Sequence, residues 1–237
     1  MRIAIVLYTG LTALDALGPY ELLKYLPNVD IRFVAHQVGP VPNDRGLLLI
    51  GATHTFAETP DADIVLVPGS EANTLIAAAD KTLTDWLRQV HAGSRFTTSV
   101  CSGAVILGAA GLLKGKSATT HWSAMNGIKQ LGATPCPSDR IVQDGKIWTA
   151  AGVSAGLDLA LALIEKIEGR PTAEKIQLLI EYDPQPTLDA GHMSKASEAV
   201  SKAAKEDIKR LSRNPMTPIA LFKLIWRKAL LRARSNS

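Results

Sequence analysis

The sequence predicts an α/β layered sandwich with a mainly parallel sheet. Short continuous apolar runs at residues 3–7 and 64–67 read as strands buried on both faces, the habit of parallel sheets. Strand and helix patterns alternate through most of residues 1–182. Three candidate loops, at residues 8–18, 68–73 and 100–103, leave strands at one edge, where open α/β sheets hold their ligands.

The strand at 3–7 is followed by a helix over 12–26, with Leu14, Leu17, Tyr20 and Leu22 available for one side and Pro27 ending it. Residues 29–37 alternate as a second strand. Turn residues around Leu47-Leu48-Leu49-Ile50 suggest a hairpin or short antiparallel excursion within 39–56. The strand at 64–67 stops abruptly at Pro68-Gly69-Ser70, and a helix over 83–91 leads to the next strand, Phe96 to Cys101. A helix at 104–110, a strand near 117–120 and a helix around 123–131 come next. Residues 141–142 and 147–149 form a weak hairpin turning on Asp144-Gly145. Helices at 156–167 and 172–182, split by Gly169-Arg170-Pro171, complete the body. The economical division is one domain over 1–194 and a tail over 195–237.

With 46% hydrophobic and 20% charged residues, the 237-residue chain reads as a globular protein able to bury a core. Its two cysteines, Cys101 and Cys136, exclude a disulfide framework or a cysteine-based zinc site and suit a reducing compartment. The opening residues read as a first strand instead of a signal peptide, and no apolar run approaches the roughly 18 residues of a membrane span. The expected location is cytoplasmic. The net charge of +4 is unevenly spread: residues 195–237 hold 11 Lys/Arg and 3 Asp/Glu, leaving the rest of the chain at −4. The basic character therefore belongs to the tail, which weakens any whole-protein nucleic-acid reading.

The stretch Ser99-Val100-Cys101-Ser102-Gly103 places a thiol where a strand turns into a helix. Free N–H groups of the first helical turn and the helix dipole favour negative charge there, biasing the thiol toward thiolate. The alternative is a buried core cysteine. Asp15, within apolar Leu14-Asp15-Ala16-Leu17, reads either as a helix cap or as a carboxylate facing the site. Backbone N–H groups of Gly69 and Ser70 could form an anion pocket with that of Ser102. Cys136, between two prolines, reads as an inert loop thiol, and His36, His54 and His91 take surface or loop roles. Asp158 reads as a cap or a pairing carboxylate, and Trp122 as core or pocket wall. No His/Asp/Glu spacing suggests a metal, and no glycine-rich nucleotide motif occurs.

Val67-Pro68-Gly69, Ser99-Val100-Cys101-Ser102-Gly103 and Thr119-Thr120-His121-Trp122 together resemble the ThiJ/PfpI superfamily, with its class I glutamine amidotransferase-like, flavodoxin-like fold. Leu14-Asp15-Ala16-Leu17-Gly18-Pro19-Tyr20-Glu21, the run from Cys101 to Leu113, and Glu181-Tyr182-Asp183-Pro184-Gln185-Pro186 resemble the branch containing bacterial isonitrile hydratase. The match spans about residues 1–190. It implies a cofactor-free hydro-lyase in which Cys101 is the nucleophile and Asp15 the acid, its pKa raised by burial beside the thiol. Gly69-Ser70 stands where many relatives have two glycines. Ser102, which is Thr in some relatives and His in peptidase-like ones, is expected to bond Asp15 or the substrate. His121 falls where other members hold a histidine near the thiol; its alternative is a structural histidine bonding backbone. Glyoxalase- or deglycase-like action on reactive carbonyls, and a non-catalytic thiol sensor, are the other functions the superfamily offers. The resemblance also implies a homodimer. The tail, with a basic amphipathic pattern over 218–234, is left to pack on the body or a partner subunit, touch an anionic membrane, or contact nucleic acid; it is too short for a helix-turn-helix pair.

Overall fold

The computed structural model describes residues 1–235, with side chains through Trp226. The chain opens with β1 (Arg2–Val6), α1 (Ala13–Leu23) and β2 (Asp30–Ala35), and continues through β3 (Gly39–Pro42), β4 (Leu49–Ala52) and β5 (His54–Thr55). Then come β6 (Ile64–Val67), α2 (Thr74–Ala79), α3 (Lys81–Gly93), β7 (Phe96–Ser99) and α4 (Gly103–Ala109). β8 (Ser117–Ala118), a single 3₁₀ turn (Trp122–Ala124), α5 (Met125–Gln130) and β9 (Thr134–Pro135) lead to the hairpin β10 (Ile141–Asp144) and β11 (Ile147–Ala150). α6 (Ala155–Glu168) and α7 (Arg170–Leu179) follow, and then α8 (Glu198–Leu211) and α9 (Thr217–Ser235).

The main sheet runs β10-β11-β7-β6-β1-β2-β5 and is parallel except for the β10–β11 pair. β1 sits centrally, in register with β2 on one side (Ile3 opposite Ile31) and β6 on the other (Ile3 opposite Ile64). Ile3–Leu7 and Ile64–Val67 are fully buried, as apolar runs covered by helices on both faces must be. The strand order grows from β1 in both directions, so its switch point lies between β1 and β6. The antiparallel excursion expected within 39–56 is the separate pair β3–β4, with Val41 opposite Ile50.

Three features differ from the sequence expectation. α1 buries Asp15, Ala16, Gly18, Pro19, Leu22 and Leu23 while Leu14 faces out. Its contact surface with α6 is built from small residues: Gly18 lies against Leu157, and Gly156 against Pro19 and Val100. Leu22 is buried and Leu17 and Tyr20 pack against the core as expected; Leu14 alone of the four faces out, and the remaining contact is made by small residues that carry no hydrophobic period. The expected helix over 12–26 also stops at Leu23, short of Pro27, with Asn28 in a left-handed conformation at φ 50°. Third, α2, β5 and β9 carry too few residues to show a period in the sequence. In the tail, α8 is capped by Ser197, whose Oγ accepts the Val200 N–H at 3.4 Å. α9 rests on α2 with Ala220 buried and Leu224 against the core.

Candidate functional site

The three loops expected at the carboxyl edge of the sheet meet there. The Val100 N–H donates to the Val67 carbonyl at 3.0 Å, the Cys101 N–H to Ala151 at 2.8 Å, and the Thr12 N–H to Gly69 at 2.9 Å. These bonds tie the ends of β6, β7 and β11 to the start of α1. Cys101 occupies a left-handed backbone conformation, φ 56°, which a side chain other than glycine's seldom adopts. The surrounding bonds hold that strain in place, as at the tight strand-to-helix turn that presents a nucleophile. Thr120 adds another clamp, its hydroxyl donating to the Cys101 carbonyl at 2.6 Å. Gly103 permits the turn: a Cβ there would overlap the Val67 carbonyl oxygen.

Cys101 and Asp15 are both buried, and each lies near enough to shift the ionisation of the other. Burial is the main influence on each. It pushes the Asp15 carboxyl up to about 7, against the opposing pull of the Gly69 N–H and the Cys101 thiol. It pushes the thiol well above its ordinary value, and the neighbouring carboxylate pushes it further. The Ser102 backbone and hydroxyl pull the other way without prevailing. The expectation of a resting thiolate is therefore corrected: desolvation outweighs the first turn of a seven-residue helix. The resting pair is a thiol beside a carboxyl group that titrates near neutrality. Asp15 Oδ2 accepts the Gly69 N–H at 2.8 Å, while Oδ1 is buried and has no hydrogen-bond partner.

The anion pocket is also arranged differently. The N–H of Gly69 is taken by Asp15, and that of Ser70 donates to Ser102 Oγ at 3.0 Å. Ser102 Oγ lies 3.1 Å from the Ser70 carbonyl and 2.6 Å from Thr74 Oγ1, so it locks the 68–74 loop instead of bonding Asp15. Gly69 is required sterically, since a Cβ would stand 2.5 Å from both Ser102 N and Ser102 Oγ. His121 does not reach the thiol in the hydrogen bonds it makes. Its Nδ1 lies 2.7 Å from Ser123 Oγ and caps the 3₁₀ turn, and its ring edge covers Gly152. Burial lowers its pKa.

Sequence reasoning missed Tyr8 and gave Thr120 no role beyond its place in a motif. Tyr8 is buried, its hydroxyl donates to the Pro68 carbonyl at 3.0 Å, and its pKa is raised by burial, then by Asp15 and Cys101. Each resembles an ordinary strand-end residue, so only the fold reveals that Tyr8 lies near the thiol and that Thr120 clamps the Cys101 backbone. Asp158 pairs, as read: it binds Arg140 at 2.6 Å and accepts from the Tyr182 hydroxyl at 3.0 Å. His91 lies in α3, as the helix over 83–91 predicts, and is half-buried with Nδ1 2.8 Å from Thr97 Oγ1. Among the described residues no cluster of His, Cys, Asp or Glu could hold a metal ion.

Residues 1–166 match the DJ-1/PfpI family. An isonitrile hydratase of Pseudomonas putida is 40% identical over 206 residues, covering 87% of this chain and 89% of that protein. The crystal structure of a THiJ/PfpI family protein from Pseudomonas syringae superposes with a TM-score of 0.85 at 39% identity, covering 89% of this chain and 87% of that one. Drosophila melanogaster DJ-1beta, at 18% identity, TM-score 0.69 and 76% and 97% coverage, shares the fold.

Proposed function

The chain belongs to the DJ-1/PfpI family, and from that premise we propose that it is a cofactor-free hydro-lyase that hydrates an isonitrile to an N-substituted formamide. The observation that carries this reading is the buried Asp15 carboxyl, raised to about 7, beside the Cys101 thiol and with Oδ1 unpartnered. Such a group can take a proton and return it to the same small space, which addition of a thiol to a carbon requires.

Asp15 as carboxylate removes the thiol proton while the sulfur forms a bond to the terminal isonitrile carbon. The same proton then passes from Asp15 to that carbon, giving a thioimidate, the sum of the isonitrile and the thiol. Water adds to the thioimidate carbon, and its protons go to the substrate nitrogen and, through Asp15, to the departing sulfur. Cleavage of the carbon–sulfur bond releases the formamide and restores the thiol. Tyr8 and Gly69 hold the geometry: one bonds the Pro68 carbonyl, the other the Asp15 carboxyl. Ser70 and Ser102 fix the loop between them. A peroxide-sensing thiol would need ready ionisation, which burial here opposes.

The test compares turnover of cyclohexyl isocyanide and methylglyoxal. Formamide should appear from the isocyanide and disappear with Cys101→Ala. Because the reactive form pairs the thiol with an Asp15 carboxylate, kcat/KM should rise about tenfold per pH unit below 7 and level above it. Undiminished isocyanide hydration by Cys101→Ala, or turnover of methylglyoxal alone, overturns the reading.

A further inference from the structure

Through Trp226, the last residue whose side chain is described, α9 lies on the body with much of its apolar surface exposed. Ala220 and Leu224 face α2, and Asn214 at its approach bonds Asn73 Oδ1 at 2.6 Å. Away from that contact Phe222 is 66% exposed, Ile225 61% and Trp226 59%; Phe222 and Trp226 also form the rim of a groove of about 1020 Å³ between α9 and the body, while Ile225 lies outside it. Their spacing puts them within one arc at 100° per residue. Phe222 and Trp226 stack on each other, centroids 6.3 Å apart, instead of on the core. The arc carries no charge, and residues 214–237 contain no acidic residue but five cations: Lys223, Arg227, Lys228, Arg232 and Arg234.

We propose that α9 is an anchor for an anionic phospholipid surface, on which it lies in the plane of the interface while still docked to α2. The proposal is independent of the cysteine chemistry. The charge separation supports it: the tail is +8 and the remainder of the chain −4, so a negative surface attracts one end of the molecule and repels the other. The solvent-facing apolar arc, with aromatic side chains and cations spread along the helix, has the chemistry of a helix that sinks its apolar side among acyl chains and leaves Lys and Arg at the headgroups. A protein partner would have to offer an acidic groove matched to that whole length, whereas a lipid surface is uniformly negative. No helix among the described residues is long and apolar enough to cross a membrane, so the contact is peripheral.

The full chain and the double variant Phe222→Ser/Trp226→Ser should be sedimented with vesicles of phosphatidylcholine alone or with roughly one-third phosphatidylglycerol. The parent should bind the anionic vesicles at least about tenfold better than the neutral ones, and lose that preference at about 0.5 M salt. The double variant should lose most of the binding while keeping the thermal stability of the parent, since both side chains are exposed. Sedimentation with neither vesicle overturns the proposal. So does binding to duplex DNA without binding to vesicles, or a double variant whose only change is a smaller assembly in solution.

Discussion

Gly69 concentrates the demands on the site in one residue. Its N–H holds Asp15 Oδ2, and its missing side chain lets Ser102 approach. A Cβ would also come within 3.1 Å of Asp15 Oδ2, so Gly69→Ala must move either the elbow or the acid. We expect a loss of about 2 kcal/mol in urea unfolding. Activity should fall further than this loss explains, because Asp15 is displaced from the sulfur. A variant of parental stability and turnover would show that the loop yields without consequence. Ser70→Gly, which keeps the N–H but removes the hydroxyl bonds to Gly10 and Asn73, is the milder contrast at the next position.

At the scale of elements, α9 and the site loop are joined through α2. Asn214 bonds Asn73, whose N–H donates to Ser70 Oγ, and α2 begins immediately after it. Ala220→Asp would bury a carboxylate against α2. Trypsin should then cleave after Arg213 several-fold faster, while the chain from β1 to α7 stays resistant; unchanged cleavage would mean that α9 is not held by this face. Long apolar or alternating strands were legible in the sequence because burial on two faces leaves a pattern that needs no partner, as at residues 3–7 and 64–67. The buried side of α1 was legible only in part: Leu22 marked it, but Ala16, Gly18 and Pro19 share it, and hydrophobic periodicity is blind to small residues. α2 escaped because six residues span less than two turns. In the site, Cys101 and Asp15 could be located from motifs, but whether the Gly69 and Ser70 N–H groups were free depended on where two side-chain oxygens lay. The ionisation of the thiol was misread for a related reason: a helix terminus is visible in sequence, and the depth at which it sits is not.

For the whole molecule, the buried acid makes folding stability depend on pH. An ordinary aspartate titrates near 3.8, as Asp15 does once the chain unfolds, but in the folded protein it titrates near 7. Below 3.8 both states hold the proton, and the folded state suffers no penalty from this group. Between 3.8 and 7 the unfolded chain gives up its proton first, so stability falls as pH rises. Above 7 both states are ionised and the loss is complete, on the order of 4 kcal/mol at 1.36 kcal/mol per pH unit. Asp15→Asn can keep an oxygen for the Gly69 N–H and has no proton to lose. Between pH 5 and pH 8, urea unfolding of the parent should therefore lose about 2 to 3 kcal/mol more than that of Asp15→Asn. Cys101 does not confuse the comparison, because its thiol stays protonated throughout that range. The variant should gain stability at pH 8 and lose isocyanide turnover, the usual exchange where a buried charge serves chemistry. Parallel pH profiles for the two proteins would place the Asp15 carboxyl in an environment far wetter than the one its neighbours form, and would remove the basis for a proton carrier at this site.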